Sequence, residues 1–502
     1  MFKNFIGYHL EAERRDKKNS LRDLANASRA LKLAFCFLVL LILWNVPSSF
    51  YGINDLTITE QRVIAVFCYA TLMWILEAIP AWTTSVSVIV ILLFCVSDSG
   101  LWFLTTGYEE GTLGTLLSNK KVMACFADPI IMLFIGGFIL AIAATKTGLD
   151  AYLAKVMLAP FGTKSENVLL GFLLVTGIFS MFLSNTATAA MMLTFLAPVL
   201  KTLPANGKGK TGLALAIPIG ANIGGIATPI GTPPNAIVLK FLNDPEGLNL
   251  NIGFGQWMLF MFPLAMVLLV FAWFVLLRLF PFTQKNIELV IEGEAKKDWR
   301  SIVVYITFGI TILLWCLDRF TGVNSNVVAM LPVGVFCMIG MITREDLEEI
   351  NWSVLWMVAG GFALGLALQD TGLATHLIET IPFDTWSPVL MIVGSGLICY
   401  AMANFISHTA TANLLVPILA LAGISAAATL APFGGVSTLL IGVALGSSLA
   451  MVLPISTPPN AIAHATGLIE QNQMVKVGLI MGVVGLVLGY CMLIVVGQNG
   501  WL

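Results

Sequence analysis

The sequence predicts an all-α integral membrane protein of about 11 transmembrane helices, built as two inverted repeats with two re-entrant hairpins and two broken helices. Three observations lead there. The first is composition: of 502 residues 58% are hydrophobic and 11% charged, with a mean hydropathy of +0.90, too little polar surface to cover a water-soluble chain of this length. The second is duplication. Gly136-Gly137-Phe138, Ser184-Asn185-Thr186-Ala187-Thr188 and Thr232-Pro233-Pro234-Asn235 return as Gly360-Gly361-Phe362, Ser407-His408-Thr409-Ala410-Thr411 and Thr457-Pro458-Pro459-Asn460, at offsets of 224, 223 and 225 residues. Three markers in one order at one spacing define an internal repeat. The third is where the positive charges fall.

Residues 1–30 read as a basic cytoplasmic segment, and the stretch 14–32 is expected to lie on anionic lipid as a surface helix. The first apolar run, Leu31 to Val46, has no small-residue cleavage site after it and is read as a retained helix. Runs of roughly 20 apolar residues place spans near 31–47, 62–80, 82–104, 129–148, 256–280, 302–318, 325–342, 352–370 and 474–497. Residues 31–104 form the first membrane helices, a scaffold. Residues 129–280 form the first repeat, with a hairpin over 165–203 and a broken helix over 211–243. Residues 302–497 form the second, with a hairpin over 387–430 and a broken helix over 436–469.

The hairpin assignment rests on length. The arm after Ser184-Asn185-Thr186 reaches about 22 Å at 1.5 Å per residue, short of a hydrocarbon core of about 30 Å. A tip inside the membrane requires that its backbone be buried in protein or line a water-filled cavity. With a cytoplasmic N-terminus and hairpins that return to the side they entered from, all but five of the 26 lysines and arginines face the cytoplasm; Arg62, Lys120, Lys121, Lys240 and Arg319 are the exceptions. This layout puts the first hairpin on the cytoplasmic side and the second outside, inverts the repeats, and leaves the C-terminus outside.

Paired, Gly/Pro-broken polar segments in corresponding places of an apolar chain point to the binding site of a secondary transporter. No Arg or Lys lies near either Ser-x-Thr motif. Helix N-termini carry roughly half a positive charge and unpaired N–H donors, so two tips and two broken helices suit an anion with two separated carboxylates. Glycines at 220, 224, 225 and 231 allow close backbone approach, and Pro233, Pro234, Pro458 and Pro459 stop helices so that carbonyls are released toward a cation.

The Ser-Asn-Thr tip, its second copy and Thr-Pro-Pro-Asn in both halves resemble the divalent anion/sodium symporter family of dicarboxylate and citrate transporters, over the chain from about residue 30. The resemblance implies a homodimer in the plasma membrane, each protomer with a fixed scaffold and a transport domain that moves in an elevator-like way. It implies substrate contacts at Ser184, Asn185, Thr186, Ser407, His408, Thr409, Thr232, Pro233, Thr457 and Pro458. It also implies sodium sites at the tips.

The chain departs from the family at His408, where an amide oxygen is replaced by an imidazole, and at Ala403, the counterpart of Ser180. A residual sodium site is therefore expected only in the first half, at Ser180, Ser184, Asn185, Gly225 and Gly231. His408 is expected to touch substrate or to replace an ion. Moving a dianion into a cell at 100 mV negative inside costs about 4.6 kcal/mol, and exchange for an outgoing dicarboxylate avoids that cost. The expected function is thus sodium-independent exchange of succinate-, malate-, fumarate- or α-ketoglutarate-type dicarboxylates, with sodium- or proton-coupled symport as the alternative. An enzyme is not expected: Ser407 and His408 are adjacent on a helix and point apart, and no carboxylate orients the imidazole.

No organic cofactor or nucleic-acid partner is expected. The basic loop Gly207-Lys208-Gly209-Lys210-Thr211 has Pro204 where a phosphate loop needs glycine, and no strand precedes it. The eight cysteines form no Cys-x-x-Cys pair and read as free thiols. His9, His376 and His464 have no partner at metal-ligand spacing and read as structural or solvated.

Overall fold

Each predicted helix break falls at a Gly/Pro or Ser-x-Thr marker in the computed structural model, which describes residues 20–500 apart from 110, 205–206, 246, 288–293 and 381–385. The principal helices are α1 (Ser20–Asn45), α2 (Ile58–Leu76), α3 (Ala81–Cys95), α4 (Pro129–Thr147), α5 (Leu149–Leu158), α6 (Ser165–Phe182), α7 (Asn185–Lys201), α8 (Lys208–Gly225), α9 (Pro233–Leu242) and α10 (Phe254–Leu279). The second half adds α11 (Trp299–Cys316), α12 (Met330–Met338), α13 (Trp352–Asp370), α14 (Leu373–Thr380), α15 (Ser395–Ala403), α16 (His408–Ser425), α17 (Gly435–Ser448), α18 (Pro458–Ala465) and α19 (Gln471–Gln498). Among the described residues, eight helices are long and apolar enough to cross a membrane, and three shorter apolar helices accompany them. Two isolated bridges, Ser97 with Leu117 and Lys164 with Asn286, are the extent of strand pairing there.

Several boundaries differ from the sequence reading. The span expected over 82–104 stops at Cys95 because the chain turns back on itself, with Asp98 N donating to Leu117 O at 2.8 Å and Leu117 N to Val96 O at 3.1 Å. From Ser20 the chain already belongs to α1, so no separate surface helix runs over 20–32; residues 14–19 of that expectation lie outside the described residues.

Corresponding elements make corresponding contacts. α6 packs on α8 as α15 packs on α17, α7 on α8 as α16 on α17, and α8 on α10 as α17 on α19. The halves also interlock: α7 lies against α18, and α16 against α9. Close helix crossings need residues without bulk. A Cβ on Gly224 would lie 2.1 Å from the Gly177 carbonyl oxygen where α8 crosses α6, and one on Gly446 would lie 2.5 Å from the Gly396 carbonyl oxygen where α17 crosses α15.

One ion pair recurs with its signs exchanged. Lys146, in the last turn of α4, meets Asp346 at 2.6 Å; Asp370, 224 positions on at the end of α13, meets Lys121 at 3.0 Å. Burial pushes the Asp346 carboxyl up, but hydrogen bonds from Lys146 and Thr343 outweigh it and hold the group below the usual carboxylate range.

Similarity between the halves ends at the hairpins' outer faces. On α16, Ala410, Asn413, Pro417 and Ala420 are buried. α16 packs on α13, with Asn413 Nδ2 donating to Met357 O at 2.7 Å. The matching residues of α7, namely Ala187, Ala190, Thr194 and Ala197, are exposed, and α7 has no comparable packing on α4. One hairpin is docked and the other undocked.

Because the α6–α8 crossing has no room for a methyl group, Gly224→Ala is expected to destabilise the protein by about 1–3 kcal/mol. A melting curve of the purified protein reads this; an unchanged melting temperature would contradict the close approach.

Candidate functional site

Both tips are built by the same local device. Each helix needs an acceptor for its first N–H groups, and the serine of each Ser-x-Thr motif supplies it. Ser184 Oγ accepts from Ala187 N at 3.2 Å, and Ser407 Oγ accepts from Ala410 N at 3.2 Å. Each hydroxyl keeps its proton free to donate. Ser184, Asn185 and Thr186 are half-buried at the undocked tip, as is Ser407 at the docked one, whereas His408 and Thr409 are buried.

The loops after α8 and α17 are closed by the asparagine of each Thr-Pro-Pro-Asn. Asn235 Nδ2 donates to Gly225 O at 3.2 Å, Ile226 O at 3.2 Å and Thr228 O at 2.8 Å. Asn460 Nδ2 donates to Met451 O at 2.9 Å and Leu453 O at 3.0 Å, the carbonyls 225 positions on from Ile226 and Thr228. These amides hold several of the carbonyls that the prolines release. A hydroxyl ties each loop to the end of its hairpin's first arm: Thr228 Oγ1 donates to Met181 O, and Ser456 Oγ to Asn404 O at 3.1 Å. Thr228 and Ser456 come from opposite ends of their loops, yet Met181 and Asn404 are repeat mates.

At the first tip, polar groups gather around the Asn185 amide. Ser180 Oγ donates to Ala221 O at 2.8 Å. The side-chain NH2 of Asn185 donates to Ala221 O at 3.2 Å and to Gly231 O at 3.0 Å, and it lies 2.5 Å from Ser180 Oγ. Protein groups thus satisfy one another in this cluster.

With its amide oxygen turned inward, Asn185 would join Ser180 Oγ, Gly231 O and Ala221 O as hard ligands of the type Na+ takes, the last a backbone carbonyl that residue type cannot reveal. Gly225 contributes space, since a Cβ there would lie 2.6 Å from Asn185 Oδ1 and its carbonyl is held by Asn235. Ser184 Oγ is engaged in the cap.

At the second tip the cluster is closed by an imidazole. His408 Nε2 lies 2.6 Å from the carbonyl oxygen of Ala450, the repeat mate of Gly225. The ring stands where the first half has the Asn185 amide, and Ala403 supplies no hydroxyl. A ring N–H at Nε2 satisfies that carbonyl.

The expected site residues come together crosswise through the α7–α18 and α9–α16 contacts. Thr457 Oγ1 accepts from Asn460 N at 3.2 Å, while Thr232 makes no such cap. Pro458 is exposed and Pro233 half-buried. Asn222, which the sequence reading passed over, donates through Nδ2 to Thr457 Oγ1 at 3.2 Å and to Asn460 Oδ1 at 3.1 Å. His376, expected to be structural or solvated, places Nδ1 2.9 Å from Oε1 of the buried Glu60. Among the described residues, no group of three or more His, Cys, Asp or Glu could hold a metal ion.

Residues 71–438 match the citrate transporter family, CitMHS. The chain belongs to this family. The membership bears out the resemblance read from the paired motifs and makes the protein a transporter, not an enzyme. It is 30% identical over 91% of its length, and 90% of the relative's, to the sodium-dependent dicarboxylate transporter SdcS of Staphylococcus aureus. It is 34% identical over 74% of its length, and 81% of the relative's, to an uncharacterized transporter of Haemophilus influenzae. Among solved structures, the antimetabolite efflux pump MtrF of Neisseria gonorrhoeae shares the fold, with a TM-score of 0.54 and 12% identity over 83% of this chain and 95% of that one.

Replacing His408 by Ala leaves Ala450 O without a donor in a buried setting, at a cost of about 1–3 kcal/mol. The purified variant should melt lower, and His408→Gln, whose amide can also donate, should recover part of the loss. If His408→Ala melts like the parent, the imidazole–carbonyl contact carries no stability.

Proposed function

We propose that this protein is a secondary active transporter of C4/C5 dicarboxylates that binds sodium at its first tip and moves substrate by an elevator-type motion. The observation that carries the reading is the pairing of two Ser-capped helix N-termini, free of cationic side chains, with one cluster of Ser180, Asn185, Ala221 and Gly231 groups that can turn oxygens toward a cation. Substrate contacts are assigned to Ser184, Asn185, Thr186, Ser407, Thr409, Thr232, Pro233, Thr457 and Pro458. His408 is assigned the place of a lost second cation. The dicarboxylate name of SdcS supports the substrate class, and its sodium dependence favours a sodium requirement over the sodium-independent exchange anticipated from His408 and Ala403.

The unequal hairpins support alternating access. With the first hairpin entering from the cytoplasm, an undocked α7 and a docked α16 describe an inward-open state. In the outward-open state the roles exchange, so that the exposed face at Ala187, Ala190, Thr194 and Ala197 docks on α4. Both shapes are accessible because inverted repeats supply the same contacts in either direction. The sign-exchanged pairs Lys146–Asp346 and Lys121–Asp370 agree with this topology, with a lysine at the cytoplasmic end of the first-half strut. The protein is proposed to be a homodimer in the plasma membrane, with its N-terminus cytoplasmic and its C-terminus outside.

Energetics bears on the coupling. A dianion entering against 100 mV costs about 4.6 kcal/mol; one Na+ returns about 2.3 kcal/mol electrically and about 1.4 kcal/mol for a tenfold gradient. One cation falls short by about 1 kcal/mol, so an outgoing dicarboxylate completes the cycle. Sodium-coupled symport, favoured by the name of SdcS, requires a further cation bound elsewhere.

In liposomes, uptake of labelled succinate is expected to need unlabelled dicarboxylate inside and to slow when choline replaces sodium. Sodium-driven accumulation into empty liposomes would establish symport instead, and no dicarboxylate movement under any gradient would overturn the function. Topology has its own check. Cysteines at Lys164 and Lys201, in a background without native cysteines, should both label from the cytoplasm, and ones at Ser387 and Thr429 from outside. Labelling of Lys164 and Lys201 from opposite faces would end the hairpin and inverted-repeat readings.

A further inference from the structure

We infer that Asn222 is a positioning residue that fixes the Thr457 hydroxyl as a hydrogen-bond donor to one carboxylate of the substrate. The inference rests on the dicarboxylate reading above and goes beyond it, because Asn222 lies outside every motif that carries that reading.

A threonine hydroxyl has one proton and two lone pairs. Both lone pairs of Thr457 Oγ1 are engaged, one by Asn460 N and one by Asn222 Nδ2, each at 3.2 Å. What remains is the proton, and no protein acceptor among the described residues takes it. Saturating a hydroxyl as an acceptor removes its freedom to rotate and leaves it a donor with one direction. A carboxylate offers only acceptors, so such a donor is matched to it and mismatched to a cation. Asn222 and Thr457 are 1% and 3% exposed, which keeps water from competing for either lone pair. The next residue, Pro458, is exposed, and Ser407 at the second tip is half-buried.

The device is present in one half only. The mate of Asn222 is Ser447, whose shorter side chain leaves its Oγ buried without a partner, and the mate of Thr457 is Thr232, which makes no cap. The halves differ in the same sense at the tips, where the first keeps a cation-type cluster and the second closes it with His408. Where a cation can neutralise a carboxylate, a freely turning threonine suffices. Where the cation is lost, a fixed donor takes over. Asn222 comes from α8 of the first repeat and Thr457 from α18 of the second, so the donor is aimed by the other half of the molecule.

The test is a double-mutant cycle on succinate binding to the purified full-length protein, read by calorimetry. Thr457→Val should weaken binding roughly tenfold to a hundredfold, the loss of one donor to a charged group. Asn222→Ala should weaken it roughly threefold to tenfold by freeing the rotor, and the double variant should bind no worse than Thr457→Val alone. Maximal exchange at saturating succinate should change less than affinity does. Asn222→Ser, which copies the residue of the first half, should behave as Asn222→Ala and serves if the alanine variant does not fold.

Additive losses, or full affinity in the Asn222 variants, overturn the inference while leaving the dicarboxylate site intact. A changed sodium requirement with unchanged succinate affinity would assign Asn222 to the first tip through its neighbour Ala221 and would also overturn it. Unchanged affinity in Thr457→Val would overturn both the inference and the assignment of Thr457 to the substrate.

Discussion

Everything near the midplane depends on one constraint: a helix broken inside hydrocarbon exposes backbone groups that no water can satisfy. Two asparagines meet that demand. Asn235 and Asn460 each turn an amide into their own loop and hold the carbonyls left by the break, in nearly the same pattern 225 positions apart. Once these carbonyls are held, the loops can be rigid without being helical, and a glycine such as Gly225 can lie directly against a tip side chain. Of the remaining carbonyls, those of Ala221 and Gly231 meet the Asn185 amide and that of Ala450 meets the His408 imidazole.

The two halves thus solve the same electrostatic problem by different means. The first cluster is built from the Ser180 hydroxyl and the Asn185 amide, the second from the His408 imidazole with Ala403 in place of the hydroxyl. The asymmetry extends to Asn222 and Ser447, one long enough to reach across to Thr457 and the other not.

Docking is the second consequence of the repeat. The same small-residue face on α7 and α16 is exposed in one and buried in the other, although Ala187 and Ala410 are identical in type and Thr194 and Pro417 differ little in size. The faces differ at one position that bears on docking: Asn413 donates to Met357 O, whereas its mate Ala190 has no side-chain donor. The ion pairs at the ends of α4 and α13 brace each half alike.

The repeated motifs, the helix breaks and the membrane class were legible in residue types. Proline cannot continue a helix, and apolar runs of that length cannot remain in water. Tertiary structure alone decided the partners. The carbonyl of Ala221 is invisible in a sequence because every residue has one, and only packing determines which carbonyl meets Ser180 and Asn185. The identity of the Nε2 acceptor of His408, the reach of Asn222 across to Thr457 and the pairing of His376 with Glu60 depend on distances between elements far apart in the chain. So does the difference between the hairpins: tertiary packing places α16 against α13 and leaves the matching face of α7 exposed.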